Sequence, residues 1–170
     1  MNTSSKDSVA KIGRYQPIGA RQLLSFEATS AIAGNCVGLH LQSAGRAAAR
    51  RFNEVFRPLA LTGGQFAMML MLHRAAPINV GKLAQRLAMD RSTATANLKP
   101  LERRNLVRSV LHETDGRTRL LALTAAGRAA LANALELWTK ANEQVTQGLS
   151  RCEIRTLCQT LHRIAAQSTD

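Results

Sequence analysis

The sequence is poor in aromatic residues, with one tryptophan, one tyrosine and four phenylalanines among 170 residues. A core built instead from leucine, alanine, valine and methionine favours helices over a β-sandwich. The same scarcity provides no row of aromatic rings on which single-stranded bases could stack, which argues against an RNA-binding module.

Long apolar runs are missing too. No stretch approaches the roughly 20 apolar residues needed to cross a bilayer, and the N-terminus lacks the apolar segment of a secretory signal. We therefore expect a cytoplasmic protein with no membrane partner. Its length is that of one domain, or of one domain with a dimerising extension.

Acidic residues are few, and charge is unevenly distributed. The chain carries 23 lysines and arginines against 11 acids, a net charge of +12. Nine basic and three acidic residues lie in 1–78, nine and four in 79–119, and five and four in 120–170. A basic N-terminal and central part beside a nearly neutral C-terminus is expected of a DNA-binding face opposed to a subunit interface.

Motifs for catalysis, cofactors and metals are absent from the sequence. The four histidines share no metal-ligand spacing: His40, His73, His112 and His162. There is neither a glycine-rich phosphate loop nor a nucleophile elbow. We expect no enzyme activity, no cofactor and no metal.

The segment 79–123 organises the chain and begins with two predicted helices. In the first, apolar residues recur at helical spacing: Val80, Leu83, Ala84 and Leu87. Asp90 supplies a capping acceptor where the second helix, the recognition helix, should begin. One face of that helix is apolar (Ala94, Leu98 and Leu101), and the other carries Ser92, Thr95, Ala96 and Lys99. Such a helix suits a DNA major groove, the alternative being an ordinary helix with a solvated face.

Two short β-prone runs follow, 106–111 and 119–123, with the hairpin signal Asp115-Gly116 between them. Arg117 and Arg119 lie at or just after this turn, and Arg108 lies on the opposite strand. A hairpin tipped with arginine beside a helix-turn-helix predicts a winged helix whose wing meets phosphates or the minor groove. Asp115 is expected to pair with a wing arginine and hold it in position.

This ordered set of motifs resembles the MarR family of bacterial winged-helix repressors. The motifs are LTGGQFAMMLML (61–72), VGKLAQRLAMDRSTATANLKPLERRNLV (80–107), DGR (115–117) and LTAAG (123–127). The resemblance covers about Leu39 to the C-terminus. It implies a homodimer, joined through its terminal helices, that binds a palindromic operator in double-stranded DNA. Asn105 stands where the family usually has glycine, and asparagine tolerates the left-handed conformation expected there.

The expected architecture is mainly α with a small β-hairpin. Residues 1–19 are expected to form a flexible tail and 20–170 a MarR-like domain. Within that domain the winged helix spans about 60–123, and dimerisation helices span about 20–57 and 124–167. Further features are predicted in the N-terminal half: a helix over 20–33 broken at Gly34-Asn35, a helix over 37–57 ended by Pro58, and a cap at Thr62. Pro100 is expected to bend the recognition helix or to offset its last turn to Arg104. A helix from Thr124 to about Leu149, with close packing at Gly127, and a last helix over 151–166 complete the chain.

The predicted DNA contacts come from the recognition helix and the wing: Arg91, Ser92, Thr93, Thr95, Asn97, Lys99, Arg103, Arg108, Arg117 and Arg119. The apolar stripe of the last helix is expected to join two subunits: Ile154, Leu157, Leu161 and Ile164.

The resemblance also implies an effector pocket between the dimer helices and the winged helix. Its candidate lining residues are His40, Met68, Met71, Leu72 and Trp138. Such a pocket would take a small, partly aromatic anion, with Arg46 or Arg50 neutralising its charge. The competing interpretation is that the methionine cluster is simply core.

Cys36 lies just before the first long helix, at a position that resembles the sensing cysteine of the organic-hydroperoxide branch of the family. A helix N-terminus favours the thiolate that oxidation requires, whereas the alternative is a small buried residue. Cys152 and Cys158 would point about 120° apart on one helix, so they cannot pair within it and are expected to be packing residues.

Three functional classes follow from the sequence. The first is a DNA-binding repressor released by a small molecule, or by oxidation at Cys36. The second is an architectural DNA-binding protein that senses nothing. The third is a winged helix that binds proteins and has lost DNA binding, which the arginines of the wing argue against.

Overall fold

The computed structural model describes residues 25–75, 77–111 and 118–166, and these residues are mainly helical. The helices are α1 (Phe26–Asn35), α2 (Val37–Phe56), α3 (Gly63–Arg74), α4 (Val80–Arg86), α5 (Arg91–Arg103), α6 (Ala125–Val145) and α7 (Arg151–Ala166). A short 3₁₀ helix, Arg57–Leu59, follows α2, and strands β1 (Val107–Leu111) and β2 (Arg119–Leu123) lie between α5 and α6. The predicted class, mainly α with one hairpin, is confirmed.

The chain divides into two units, Met1–Ala44 and Gly45–Asp170. In the first unit α1 begins at Phe26 because the Ser25 hydroxyl accepts the N–H of Ala28 at 3.1 Å. The predicted break comes one residue later than expected, because α1 includes Gly34 and Asn35 and ends there, and Cys36 is extended. The amide of Asn35 donates to the carbonyl of Ala31 at 2.8 Å and supports this last turn. The tail predicted over 1–19 lies outside the described residues.

The five largest fully buried side chains form the centre of the second unit's core: Phe56, Met68, Met69, Leu83 and Leu101. The rings of Phe56 and Phe66 stack with their centroids 4.7 Å apart. Pro58 falls in the 3₁₀ helix, so α2 ends at Phe56. Thr62 caps α3 as predicted, its hydroxyl accepting the N–H of Gln65 at 3.2 Å. Met68 and Met69 are fully buried, so the interpretation of the methionines as core residues is confirmed for these two.

Helices α4 and α5 form the helix-turn-helix. Asn79 caps α4 by accepting the N–H of Lys82 at 2.8 Å, and Asp90 caps α5. The turn between the two helices places Ala88 at a φ of 49°. Helix α5 continues through Pro100 to Arg103, although proline can donate no backbone hydrogen bond there. Asn105 has a φ of 54°, the left-handed conformation expected of it.

The wing is an antiparallel hairpin whose base is anchored in the core. Val107 lies opposite Leu123 at the base, and Leu111 lies opposite Arg119 toward the tip. Ile78 extends the ladder, because its carbonyl accepts the N–H of Leu121 at 2.9 Å. The side chains of Val107, Leu121 and Leu123 are buried. The core therefore fixes the direction in which the hairpin leaves the domain.

Helices α6 and α7 follow the wing. Thr124 caps α6, its hydroxyl accepting the N–H of Gly127 at 2.9 Å. Helix α6 ends at Val145 rather than near Leu149, and Gly148, with a φ of 85°, makes the turn that follows. Helix α7 contains no buried residue. The packing role predicted for Cys152 and Cys158 is therefore wrong within this chain, where both are exposed.

No single helix among the described residues is long and apolar enough to cross a membrane, although α2 and α3, with the bend between them, reach that length and composition together.

Candidate nucleic-acid interface

The first turn of α5 is organised by the carboxylate of Asp90. One oxygen accepts the backbone N–H of Thr93 at 2.7 Å and the hydroxyl of Ser92. The other oxygen accepts the hydroxyl of Thr93 at 2.7 Å. These hydrogen bonds, first that from the Ser92 hydroxyl, lower the pKa of Asp90 well below its ordinary value. The carboxylate thus stays ionised and fixes both hydroxyls at the start of the helix.

The face of α5 opposite its buried residues is exposed and partly basic. At about 100° per residue, Ser92, Ala96, Lys99 and Arg103 form one stripe along the helix. All four are exposed, whereas Ala94, Leu98 and Leu101 are buried on the other side. Arg91, Thr93 and Thr95, also predicted DNA contacts, are exposed beside this stripe. The structure therefore places most of the predicted helix contacts on one accessible surface.

The hydroxyls on this surface are already engaged as donors. Ser92 and Thr93 donate to Asp90, and Thr95 donates to the carbonyl of Arg91 at 2.7 Å. Their free lone pairs can therefore only accept hydrogen bonds. In a major groove the donors available to them are the amino groups of adenine and cytosine.

Asn97 departs from the rest of the predicted contacts. It is half-buried, and its amide donates to the carbonyl of Thr93 at 3.0 Å. Its side chain helps to line a cavity of about 460 Å³ on the inner side of α5. Asn97 is thus the one predicted DNA contact of the recognition helix that is half-buried and lines this cleft.

The two wing arginines within the described residues lie on opposite faces of the hairpin. Side chains alternate between the two faces along each strand. Arg119 therefore shares the face of Leu123 and its partner Val107, whereas Arg108 lies on the other face. Both arginines are exposed. Arg119 lies toward the tip, whereas Arg108 lies one position from the anchored base. Asp115 and Arg117 fall outside the described residues.

Arg104 makes a contact that the sequence analysis missed. Its Nη1 donates to the carbonyl of Ala60 at 2.6 Å, and its Nη2 donates to the carbonyl of Leu59 at 2.9 Å. This side chain ties the end of α5 to the turn between α2 and α3. The sequence carries no signal for it, because the partners are backbone carbonyls 44 and 45 residues away.

The cavity beside Asn97 lies among α2, α3, α5 and α6, entirely within the second unit. It is lined by aromatic, amide and small side chains: Ala49, Phe52, Asn53, Phe56, Thr62, Gly63, Gly64, Phe66, Ala67, Asn97 and Trp138. Of the predicted effector-pocket residues, Trp138 is in this set. Met68 and Leu72 are buried in the core, and Met71 packs against it half-buried.

His40 and Cys36 belong to the first unit. The Nε2 atom of His40 lies 3.2 Å from the carbonyl oxygen of Gly34. Cys36 is half-buried between α1 and α2, and its carbonyl accepts the N–H of His40 at 3.1 Å. Over the part of the chain that the structure describes, no cluster of three or more histidine, cysteine, aspartate or glutamate side chains could hold a metal ion.

Comparison with known proteins agrees with this geometry. The sequence pattern of the MarR family matches residues 61–118. The HTH-type transcriptional regulator MgrA of Staphylococcus aureus is 30% identical over 115 residues, covering 66% of this chain and 75% of MgrA. The chain belongs to the MarR family.

Two solved structures that are similar to this MarR-family chain contain DNA. The transcriptional repressor CouR, bound to a 23-mer duplex, is 30% identical with a TM-score of 0.71, covering 79% of this chain and 95% of CouR. A mutant of MarR from E. coli, complexed with operator DNA, is 25% identical with a TM-score of 0.70, covering 78% of this chain and 96% of that one. The protein is accordingly a MarR-family transcriptional regulator that binds DNA.

Proposed function

We propose that this regulator is a homodimeric repressor that binds a palindromic operator and is released from it by a small-molecule effector. The observation that carries the proposal is the position of Asn97, a residue of the recognition helix that lines a cleft among α2, α3, α5 and α6, open to solvent on one side. A ligand in that cavity would contact the helix from behind, while the stripe on its front face contacts DNA. One helix would thereby join the two binding events.

In this proposal the recognition helix reads the major groove and the wing contacts the backbone. Ser92, Thr93 and Thr95 would accept from base amino groups, while Arg91, Lys99 and Arg103 meet phosphates or guanine edges. Arg108, Arg117 and Arg119 would bind from the wing, with Asp115 positioning a wing arginine. Asn97 would contact the ligand in the cavity rather than the DNA.

Dimerisation is supported by helices that bury nothing within the chain. Neither α1 nor α7 contains a buried residue. Leu157 and Leu161 of α7 are exposed although they belong to one apolar stripe, and Leu135 of α6 is exposed as well. A second copy that covers these residues would bury apolar area and satisfy the two-fold symmetry of a palindrome.

Release would follow only if the ligand binds one arrangement of the recognition helices more tightly than the other. A ligand with equal affinity for both arrangements shifts no population. The position of Asn97 supports such a preference, because a ligand that contacts Asn97 together with α2 and α3 would favour one position of α5 relative to those two helices.

Operator recognition can be tested by footprinting the protein on the DNA upstream of its own gene, followed by gel shifts on that site and on random DNA. Thr95→Leu should lower the ratio of operator affinity to random affinity while the protein stays folded. Gln85→Leu, at an exposed position on α4, is the control for adding an apolar side chain. An unchanged ratio in Thr95→Leu would contradict the assignment of α5 as the reading helix.

The mode of release can be separated in the same assay. Operator release by an organic hydroperoxide that disappears in Cys36→Ser would assign the switch to oxidation at Cys36. Operator binding that responds neither to small molecules nor to the peroxide would instead indicate an architectural DNA-binding protein.

A further inference from the structure

Arg104, the residue at which the recognition helix α5 ends, joins that helix to the turn that follows α2. Its Nη1 and Nη2 atoms donate to the carbonyls of Ala60 and Leu59 at 2.6 and 2.9 Å. Ala60 has a φ of 51°, a left-handed conformation in which its own N–H donates to the carbonyl of Arg57. Because a guanidinium is planar and rigid, this pair of hydrogen bonds specifies an orientation as well as a distance.

The two residues after Arg104 are held by a different element, the start of α6. The Thr124 hydroxyl donates to the carbonyl of Asn105 at 2.7 Å, and the backbone N–H of Thr124 donates to the carbonyl of Leu106 at 3.1 Å. Three consecutive residues, called here the α5 clamp (Arg104, Asn105 and Leu106), therefore connect the end of α5 both to the turn after α2 and to the start of α6. The contact with α6 alone would leave a pivot, and the contact made by Arg104 restricts rotation about it.

Apolar packing between α2 and the winged helix is less directional than this contact. The rings of Phe56 and Phe66 stack with their centroids 4.7 Å apart, but burial of apolar area depends little on orientation. Hydrogen bonds, in contrast, weaken as their angles change. The hydrogen bonds of Arg104 therefore oppose small rotations that the apolar contact would tolerate.

The distance between the α5 clamp and the DNA-facing residues amplifies such rotations. Ser92, near the start of α5, lies twelve residues before Arg104, about 18 Å along the helix at 1.5 Å per residue. A rotation of about 10° at the clamp would therefore displace Ser92 by about 3 Å, close to the rise of one base pair. In a dimer the same displacement would apply to both recognition helices.

We propose that Arg104 is a positioning residue for operator spacing: by joining the end of the recognition helix to the turn after α2, it fixes the separation of the two recognition helices in the dimer. This inference rests on the proposed homodimer and its palindromic operator. Arg104 acts through α5 and contacts no base in this role.

The test compares operators that differ only in the spacer between their half-sites. Duplexes carry the operator footprinted upstream of the protein's own gene, with the native spacer or with one base pair added or removed. One base pair moves a half-site by about 3.4 Å and turns it by about 34°. In gel shifts the unmodified protein should bind the native spacer at least about tenfold more tightly than either altered spacer, the effect of about one lost base contact.

Arg104→Ala should lower this spacing preference about fivefold, the factor equivalent to one net hydrogen bond. The loss should come mainly from weaker binding to the native spacer. Arg104→Lys keeps the charge but has no planar fork, so its preference should lie between those of Arg104→Ala and the unmodified protein. The Arg104 side chain is exposed, so neither substitution removes a core side chain, and circular dichroism checks that each variant is folded.

Two other arginine variants provide matched controls. Arg128→Ala also removes an arginine that donates to a backbone carbonyl, that of Leu123 at 3.1 Å, but this bond is local and does not involve α5. Its spacing preference should equal that of the unmodified protein. Arg103→Ala should weaken binding to all three spacers by a similar factor, because it removes a proposed DNA contact.

A spacing preference in Arg104→Ala equal to that of the unmodified protein would overturn the inference. Equal weakening on all three spacers would overturn it too, since that result would identify Arg104 as a phosphate contact. The same two results in Arg104→Lys would decide if Arg104→Ala did not fold. Failure of the proposed function looks different: an unmodified protein that binds all three spacers equally recognises no palindrome of fixed spacing, and both proposals would be wrong.

Discussion

A Cβ atom at Gly127 would lie 1.9 Å from the carbonyl oxygen of Leu106, far closer than two such atoms can approach. Leu106 precedes β1, and Gly127 lies in the first turn of α6. The hydroxyl of Thr124 adds a hydrogen bond of 2.7 Å to the carbonyl of Asn105. The start of the wing is therefore held directly against the start of α6.

Gly127→Ala should destabilise the protein by about 1–3 kcal/mol, because the obstructing atom belongs to the backbone and cannot rotate away. Urea unfolding followed by circular dichroism measures the change. Gly45→Ala is the control: a Cβ there meets nothing within 4 Å, and alanine should stabilise the helix by about 0.5–1 kcal/mol. Equal stability of Gly127→Ala and the unmodified protein would contradict the close approach.

Arg103 and Arg104 are neighbours with different expected roles. Arg103→Ala should weaken DNA binding and leave the free energy of unfolding nearly unchanged, since its side chain is exposed on the stripe proposed to contact DNA. Arg104→Ala should lower the free energy of unfolding by about 1 kcal/mol, because it removes the hydrogen bonds to Leu59 and Ala60. Unfolding curves and gel shifts on both variants check this. If Arg103→Ala lowered the free energy of unfolding and Arg104→Ala did not, the structural role assigned to Arg104 would be wrong.

Asp90 should make the stability of the protein depend on pH under acidic conditions. The pKa of Asp90 is lower in the folded state than in the unfolded state. The carboxylate therefore contributes fully to the free energy of unfolding above the unfolded pKa of about 3.9, and this contribution is lost as the pH falls from there toward the folded pKa. Asp90→Ala should therefore melt at a lower temperature than the unmodified protein at pH 7, with a smaller difference below pH 3. Asp90→Asn keeps a capping oxygen that does not titrate and serves as the control. A melting difference that stays constant from pH 7 to pH 3 would refute the role of the carboxylate.

Arg119 and Arg108 should contribute unequally to DNA binding. Arg119 lies toward the tip of the wing, whereas Arg108 lies near its anchored base and on the other face. Arg119→Ala should reduce the slope of log affinity against log salt by about 0.9, the effect of one lost phosphate contact, and Arg108→Ala should change it less. Arg155→Ala on α7 controls for the loss of one positive charge. An unaltered slope in Arg119→Ala would show that this side chain makes no phosphate contact.

The apolar stripe of α7 should hold the dimer together. The double variant Leu157→Glu/Leu161→Glu should sediment as a monomer, because it would place charges in an apolar interface. Gln159→Glu, on an exposed part of the same helix outside the stripe, should leave the sedimentation unchanged. A dimer that withstands both glutamates would place the interface elsewhere.

Most of the elements could be predicted from local sequence because local chemistry determines them. The caps Thr62, Asp90 and Thr124 begin their helices where predicted, since a side-chain oxygen satisfies N–H groups within three residues. The buried face of α5 follows from helical spacing alone. The ends of α1 and α6 were less predictable, because glycine and asparagine near a helix end permit either continuation or a turn.

The sequence by itself determined the family, the order of the helices and wing, and the exposed polar face of the recognition helix. Only the tertiary structure decided that Asn97 faces a cavity, that Arg104 binds the turn before α3, and that Arg108 and Arg119 lie on opposite faces of the wing. It also placed Met68 in the core and left the cavity lining without charge. These features depend on contacts between residues far apart in sequence, which helical and strand periodicity cannot specify because they describe one element at a time.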